Sequence, residues 1–200
     1  MRDELLGSAH PLLSISLEPG ESVLGADSRL VSMTDSIRLT PGARDQPGEL
    51  ALSVYTATST PGVVAFAARR PGRILGIEAA GDYLVSWSGF VAGTSAVRVW
   101  PARSSGLALW QVSGSGRAWI GLAGDMAEHE LTASQSLRAR QEHVGMFVPT
   151  VTIQVTEVQD ICVLSGPGTV WLQSGRGLSP SDRGLGWLGL GPGVFCPGEE

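Results

Sequence analysis

Short runs of alternating apolar and polar residues, separated by glycine, proline, serine or aspartate, occur along most of the chain. Three of these runs are Ile37-Arg38-Leu39, Val97-Arg98-Val99 and Val151-Thr152-Ile153. A two-residue period places alternate side chains on one face of a sheet, and the flanking turn residues bound the strand. The pattern therefore predicts many short β-strands joined by turns.

One stretch, Ala127 to Arg140, is the best candidate for a helix. Its large apolar residues are only Leu131 and Leu137, which is too few for the apolar stripe of a helix packed on a core. The same stretch aligns with strand segments elsewhere in the chain. We therefore expect strands here and an all-β fold.

The strand pattern recurs three times. With Leu17, Ile77 and Leu131 as anchors, 60 and 54 residues apart, apolar residues stand 13, 20 and 22 positions after each anchor. A glycine also precedes an apolar strand late in each unit. The apolar positions are Leu30, Phe90 and Val144, then Ile37, Val97 and Val151, then Leu39, Val99 and Ile153, and the glycines are Gly62, Gly116 and Gly168. Self-similarity of this kind indicates a tandem-repeat architecture. We predict about five strands in each unit.

These landmarks divide the chain into three parts. Residues 1–10 are taken as an N-terminal extension, and residues 11–174 as a single all-β domain of three repeats (about 11–69, 70–123 and 124–174). Residues 175–200 contain eight glycines and three prolines and are expected to form a flexible tail.

The tail nevertheless carries large apolar side chains that cannot build a core of their own. We hypothesise that it contacts a neighbouring subunit or a partner, with Trp187 as anchor and with Leu188, Leu190 and Phe195 as further contacts. The alternative is a disordered tail whose apolar residues are incidental.

Composition narrows the class of protein. The 200 residues are 42% hydrophobic and only 16% charged, with 27 glycines and 12 prolines, which argues against a helical bundle. The net charge is −5 and the chain has no Lys, so it lacks the basic footprint of a nucleic-acid-binding protein. RNA binding stays a minor alternative, because Arg69, Arg70 and Arg73 form one small cluster and Arg138 and Arg140 another.

The cysteines and the N-terminus bear on location. Two cysteines cannot form a disulfide framework, and Cys162, within an apolar run, is expected to be a buried structural thiol. Cys196 lies in the tail. The segment Met1 to Leu6 lacks the apolar core of a signal peptide, and no stretch is apolar enough to span a membrane. We therefore expect a cytoplasmic, reduced, soluble protein.

No motif for catalysis, a cofactor or a metal emerges. His10, His129 and His143 do not have the spacing of a metal site, so we expect no metal and treat these side chains as exposed. Gly114-Ser115-Gly116 belongs to a hairpin and not to a nucleophile elbow. Glycine runs precede strands and do not open a helix, which excludes a phosphate loop. Trp119 and Trp171 occupy equivalent repeat positions and are expected to pack in the core or between units.

Two segments resemble a known family. Leu17-Glu18-Pro19-Gly20-Glu21-Ser22-Val23 is similar to the opening, and Gly166-Pro167-Gly168-Thr169-Val170-Trp171-Leu172-Gln173-Ser174 to the closing strand, of the altered-inheritance-of-mitochondria family of bacteria and fungi. The resemblance spans about residues 11 to 175. It implies three tandem β units similar to subunits of the tryptophan RNA-binding attenuation protein, in a quasi-threefold sandwich or short double-stranded β-helix arrangement. It implies no catalytic residues.

Two classes of function remain open. The first is a non-enzymatic binding or scaffold protein that presents surfaces to a protein partner or to itself. The second is a small-ligand-binding or enzymatic β domain that uses the crevice between repeats. A polar pocket with converging titratable groups would favour the second class, and exposed apolar patches would favour the first.

Overall fold

The computed structural model describes residues 1–42, 51–105, 107–156 and 160–176. Within these ranges the chain forms β-strands and two short 3-10 turns, Asp27–Arg29 and Gln141–His143, and no α-helix. The predicted all-β class is confirmed. Two strands, Met126–Leu131 and Ser136–Arg140, occupy the stretch that was the best helix candidate.

The strands fall into an initial strand and three segments of six. Strand β1 spans Arg2–Leu6. Segment 1 contains β2 (Leu12–Leu17), β3 (Ser22–Ala26), β4 (Leu30–Met33), β5 (Ile37–Pro41), β6 (Leu52–Ala57) and β7 (Gly62–Ala67). Segment 2 contains β8 (Gly72–Glu78), β9 (Tyr83–Ser86), β10 (Phe90–Thr94), β11 (Val97–Ser104), β12 (Leu107–Gly114) and β13 (Arg117–Ala123). Segment 3 contains β14 (Met126–Leu131), β15 (Ser136–Arg140), β16 (Val144–Phe147), β17 (Thr152–Val155), β18 (Ile161–Ser165) and β19 (Gly168–Gln173).

Each segment has six strands and not the five predicted. The additional strand is the second one, which is β3, β9 or β15. In segments 1 and 3 a 3-10 turn joins this strand directly to the next, and neither turn contains a glycine or a proline. The boundary between the two strands is therefore invisible in the sequence pattern.

Strand pairing is antiparallel and follows the same order in every segment. The first, sixth and third strands pair as β2-β7-β4, β8-β13-β10 and β14-β19-β16. The fourth, fifth and second strands pair as β5-β6-β3, β11-β12-β9 and β17-β18-β15. The third strand carries a register shift at the same place each time, and the shifts lie at Leu30/Ser32, Phe90/Ala92 and Val144/Met146. A shift of this kind bends the strand locally.

Two ladders join successive segments. Strand β3 pairs with β10, which places Gly25 opposite Ala92, and strand β9 pairs with β16, which places Val85 opposite Met146. Each ladder completes a six-stranded sheet, β5-β6-β3-β10-β13-β8 and β11-β12-β9-β16-β19-β14. The remaining strands form a four-stranded sheet, β1-β2-β7-β4, and a three-stranded sheet, β15-β18-β17.

The buried side chains form three clusters, and each draws on more than one segment. The first cluster, mostly from segment 1, also holds Trp119 from β13, and the second, mostly from segment 2, holds Met146 from β16. The anchors Leu17, Ile77 and Leu131 are all buried, each in the first strand of its segment. Burial of apolar side chains across the ladders therefore stabilises the joins between segments.

The residues before position 11 contribute to the first sheet. Strand β1 pairs with β2 along its whole length. Asp3 accepts hydrogen bonds from Arg117 Nη1 at 3.2 Å and from Trp119 Nε1 at 3.3 Å, and so connects β1 to β13. The predicted domain boundary at residue 11 therefore separates β1 from the sheet to which it belongs.

Candidate functional site

Strand β4 is a free edge with apolar side chains in the water. Among the described residues it pairs with β7 on one side and with no strand on the other. Val31 is 57% exposed and Met33 is 42% exposed. The equivalent strands β10 and β16 have a neighbour on both sides, and Phe90–Gly93 and Val144–Phe147 are buried throughout. The missing neighbour accounts for the exposure of β4.

The sequence of β4 resembles that of an interior strand. Leu30-Val31-Ser32-Met33 contains no charged residue and no proline, which are the usual protections of an edge against pairing with another chain. An unprotected edge offers a row of backbone donors and acceptors to any compatible strand. We call β4 the apolar edge.

Strand β15 is a second free edge with a different character. It pairs with β18 on one side and with no described strand on the other. Arg138 and Arg140 are exposed, while Leu137 and Ala139 are partly buried against the third core cluster. We call β15 the basic edge. The two edges are the third and second strands of their segments, which are the two positions that pair in both inter-segment ladders.

The backbone shows which amides point out of each edge. The amide of Thr34 donates to the carbonyl of Val63 on the β7 side. Because successive residues of a strand alternate, the backbone amide and carbonyl of the preceding residue, Met33, point away from β7. The amide of Gln141 donates to the carbonyl of Asp160. By the same alternation, the backbone amides and carbonyls of Arg140 and Arg138 point away from β18.

The two segments of family resemblance have structural roles. Gln173 is buried, its side-chain oxygen accepts from the amide of Ala123 at 3.0 Å, and its side-chain nitrogen donates to the carbonyl of Glu142 at 3.0 Å. Trp171 Nε1 donates to Glu128 Oε2 at 2.8 Å. The closing segment therefore holds β19 to the end of β13 and to the turn before β16.

The opening segment forms a tight turn. Gly20 has φ of +84°, a conformation that glycine adopts without strain. The carboxylate of Glu21 accepts hydrogen bonds from the N-terminal ammonium of Met1 at 2.6 Å and from the amide of Glu18 at 2.9 Å. The bond from the ammonium, followed by the bond from Glu18, lowers the pKa of Glu21.

A cationic cleft lies where segments 1 and 2 meet. Arg29 is 4% exposed, and its Nη2 donates to the carbonyl of Ser88. Its Nε and Nη1 find no partner among the described residues. Burial, together with the charge of Arg69, lowers the pKa of Arg29 to about 10. The adjoining cavity, lined by Ser88, Arg69 and Gln173, has a volume of about 10 Å³, which is room for one water molecule and not for an organic ligand.

A larger groove lies beside β1. It has a volume of about 670 Å³ and is lined in part by Leu5, Pro71 and Ile74. Its charged residues, Arg73 and Asp125, form an exposed ion pair at 3.2 Å. An exposed pair of this kind contributes little to stability.

The residues singled out from the sequence lie apart from one another. The described part of the chain contains no cluster of three or more His, Cys, Asp or Glu side chains. His129 lies half-buried on β14, and Nδ1 of His143 contacts the backbone carbonyl of Gln173 at 2.8 Å. Cys162 is buried, as predicted, and burial raises the pKa of its thiol. The half-buried positions of His129 and His143 correct the expectation that they are exposed.

The remaining candidates have mixed outcomes. Trp119 is buried and Trp171 packs partly buried against the second cluster, in line with the prediction of core packing. Arg69 and Arg70 are exposed at the turn after β7. The proposed tail contacts Trp187, Leu188, Leu190 and Phe195, and also Cys196, lie outside the described residues.

Sequence reasoning missed the apolar edge and the basic edge. Leu30 was identified as an apolar position 13 residues after an anchor, and it begins β4. No signal in the sequence distinguishes β4 from β10 or β16, because the strands differ in their neighbours and not in their apolar character.

The geometry defines an all-β protein of serial antiparallel sheets in which, among the described residues, the two ladder positions left without a partner, β4 and β15, differ in character. The chain belongs to the family described as mitochondrial biogenesis AIM24, which it matches over residues 4–175. The X-ray crystal structure of protein SPYM3_0169 from Streptococcus pyogenes is similar, with a TM-score of 0.75 and 18% sequence identity over 94% of this chain and 97% of that one. That likeness shows a shared fold. None of the curated proteins matches the chain.

One further observation concerns membranes. In the ranges that the structure describes, no helix is long and apolar enough to cross a bilayer.

Proposed function

We propose that the protein is a non-enzymatic scaffold that binds a protein partner by adding a strand to a free sheet edge. The observation that carries the proposal is the exposure of Val31 and Met33 on an edge whose counterparts in the next two segments are buried by a pairing strand. Strand addition gains affinity from main-chain hydrogen bonds and specificity from alternate side chains.

The roles of the titratable residues support a scaffold. Asp3 holds β1 to β13, Glu128 accepts from Trp171, and His143 contacts the backbone of β19. Each of these groups is engaged in holding strands together. A catalytic pair would instead place a nucleophile or an acid within hydrogen-bond reach of a base at an open pocket.

Capture from native extract with matched variants tests the proposal. Met33→Pro places a proline ring where the outward amide of the apolar edge stands, and Val155→Pro does the same at β17, an edge strand outside the inter-segment ladders. We expect the wild type and Val155→Pro to capture the same proteins and Met33→Pro to lose them. Identical partners for all three proteins would refute the edge as the binding surface.

The tail offers a second contact within the same proposal. Deletion of residues 176–200 should remove a partner if Trp187 and its apolar neighbours are anchors. An unchanged partner list and an unchanged mass by light scattering would dismiss the tail.

A small-ligand-binding or enzymatic role is the second candidate, and the groove beside β1 favours it. Its volume of about 670 Å³ lies in the range of ligand sites. Thermal-shift screening of anionic and neutral metabolites on the wild type and Arg73→Ala tests this role, and a shift that the variant loses would support it. RNA binding rests on the resemblance of the repeats and on the two small arginine clusters, and anisotropy with single-stranded RNA at low salt should detect none.

The proposal places the protein in the cytoplasm. The buried, unpaired thiol of Cys162 supports this location. Fractionation of the source cells tests it.

A further inference from the structure

We infer that the partner of the apolar edge is the basic edge of a second copy of this chain, so that copies join head to tail through β4 and β15. This inference rests on the proposed function, because it names the partner of the same edge. Four observations carry it.

The first observation is the number and order of strands. In each inter-segment ladder, the fourth, fifth and second strands of one segment form one half of a sheet. The third, sixth and first strands of the next segment form the other half, and the two halves together make a six-stranded sheet. The half β17-β18-β15 is left at one end of the chain's series of sheets, and the half β4-β7-β2, extended by β1, at the other. Joined through β15 and β4 of two copies, they reproduce the strand order of both complete sheets.

The second observation is burial. Where a second strand pairs with the third, Phe90–Gly93 of β10 and Val144–Phe147 of β16 are buried. Of the three third strands, only β4 leaves large apolar side chains exposed, at Val31 and Met33. Pairing with β15 would bring β4 into the environment that its sequence suits.

The third observation is a register that the two existing ladders specify. Ala92 stands opposite Gly25 and Met146 opposite Val85, and the first member of each pair directly follows the register shift. The second member lies eight residues after its anchor. In a ladder between two copies, the same rules place Ser32 of one copy opposite Ala139 of the other, and Met33 opposite Arg138.

The fourth observation, independent of the register, is the direction in which the backbone amides and carbonyls point. Residues that face each other in an antiparallel ladder exchange two hydrogen bonds only when the amide and carbonyl of both point across. The backbone amide and carbonyl of Met33, and those of Arg138, point outward from their own sheets. Phe147 and Leu84 occupy the corresponding positions in an existing ladder, where the amide of Val148 donates away from that ladder to Thr169.

The charges also fit. Asp35 lies in the turn directly after β4, two residues beyond Met33, and its charge is opposite to that of Arg138 of the other copy. Because β4 and β15 are different surfaces, the contact is heterologous, and repetition builds a ring or a filament of more than two copies.

Complementation between edge variants tests the inference. Met33→Pro blocks β4 and leaves β15 intact, whereas Arg138→Pro blocks β15 and leaves β4 intact. By light scattering over a dilution series we expect assemblies for the wild type and for Val155→Pro, monomers for each edge variant alone, and a one-to-one dimer when the two edge variants are mixed. Only a heterologous contact of β4 with β15 gives that dimer.

Charge exchange tests the register and does not depend on a proline. Met33→Lys places a like charge opposite Arg138 and should weaken association by about two- to fivefold, whereas Met33→Glu should strengthen it by a similar factor. The double variant Met33→Lys with Arg138→Glu should restore association. Circular dichroism and thermal unfolding of each variant confirm that the fold is retained.

The outcomes separate the inference from the function beneath it. A wild type that is monomeric at every concentration, or assemblies that both edge variants leave intact, would overturn the head-to-tail contact. If Met33→Pro still abolishes capture of a different protein in that case, the scaffold function stands without this partner. If assembly depends on residues 177–200 and not on either edge, the tail is the contact and the inference is wrong.

Discussion

Replacement of Gln173 by methionine should destabilise the protein substantially, although it changes side-chain volume very little. The side chain of Gln173 is 3% exposed and bonds two backbone groups from different parts of the fold, the amide of Ala123 and the carbonyl of Glu142. Methionine can replace its packing and neither of its hydrogen bonds. The variant therefore isolates the polar contribution of this residue.

The magnitude follows from the two groups left behind. A buried donor or acceptor that loses its partner costs about 1–3 kcal/mol, because the desolvation of that group is no longer compensated. The amide of Ala123 is fully buried and bears the larger share, while the carbonyl of Glu142 is partly buried and can recruit water. We expect the free energy of unfolding to fall by about 2–4 kcal/mol.

Urea unfolding followed by tryptophan fluorescence measures this loss, with an unchanged m-value as the sign that only stability has changed. Gln111→Met is the matched control, because Gln111 donates to Asp82 at 3.1 Å in an exposed position. That substitution should change the unfolding free energy by less than about 0.5 kcal/mol. Equal effects of the two substitutions would refute the account of Gln173 as a buried polar link.

Two further predictions concern packing and pH. In Gly25→Ala the new methyl group would meet the ring of Phe66 and lie 2.9 Å from Tyr55, so we expect a loss of about 1–3 kcal/mol in thermal unfolding, whereas Gly81→Ala, with no atom within 4 Å, should be neutral; similar losses for both would contradict the close packing. Burial, and secondarily the charge of Asp27, raises the pKa of Tyr55 to about 12, against about 10 in the unfolded chain, so the stabilisation is complete below pH 10 and is lost as the pH rises toward 12. Tyr55→Phe should flatten this alkaline fall in unfolding free energy, and an unchanged slope would exclude Tyr55 as its source.

The period-two pattern and its turns were sufficient for the all-β class. Alternation identified strands such as Ile37–Pro41 and Val97–Ser104, because a half-buried strand must alternate whatever its neighbours are. The spacing from Leu17, Ile77 and Leu131 also located the strands at Leu30, Phe90 and Val144. A position that every unit must bury requires an apolar residue each time, and that requirement is readable without coordinates.

The roles of polar residues in the closing segment could not be read in this way. Gln173 lies in the closing segment that resembles the family, but nothing in that segment indicates a buried side chain that bonds two distant backbone groups. Its importance arises because the fold brings the end of β13 and the turn before β16, 50 and 31 residues away, to the two ends of one amide. Hydrogen bonds between such distant residues leave no local trace.

The sequence by itself determined that strands of apolar character stand at β4, β10 and β16, and only the tertiary structure decided which of them is exposed. Strand β10 is covered by β3 and β16 by β9, because each follows a segment that supplies a second strand. Among the described residues no second strand pairs with β4, and no third strand pairs with β15. The exposure of an edge depends on what pairs beside it in space, since the strand's own side chains and amides are the same in either state.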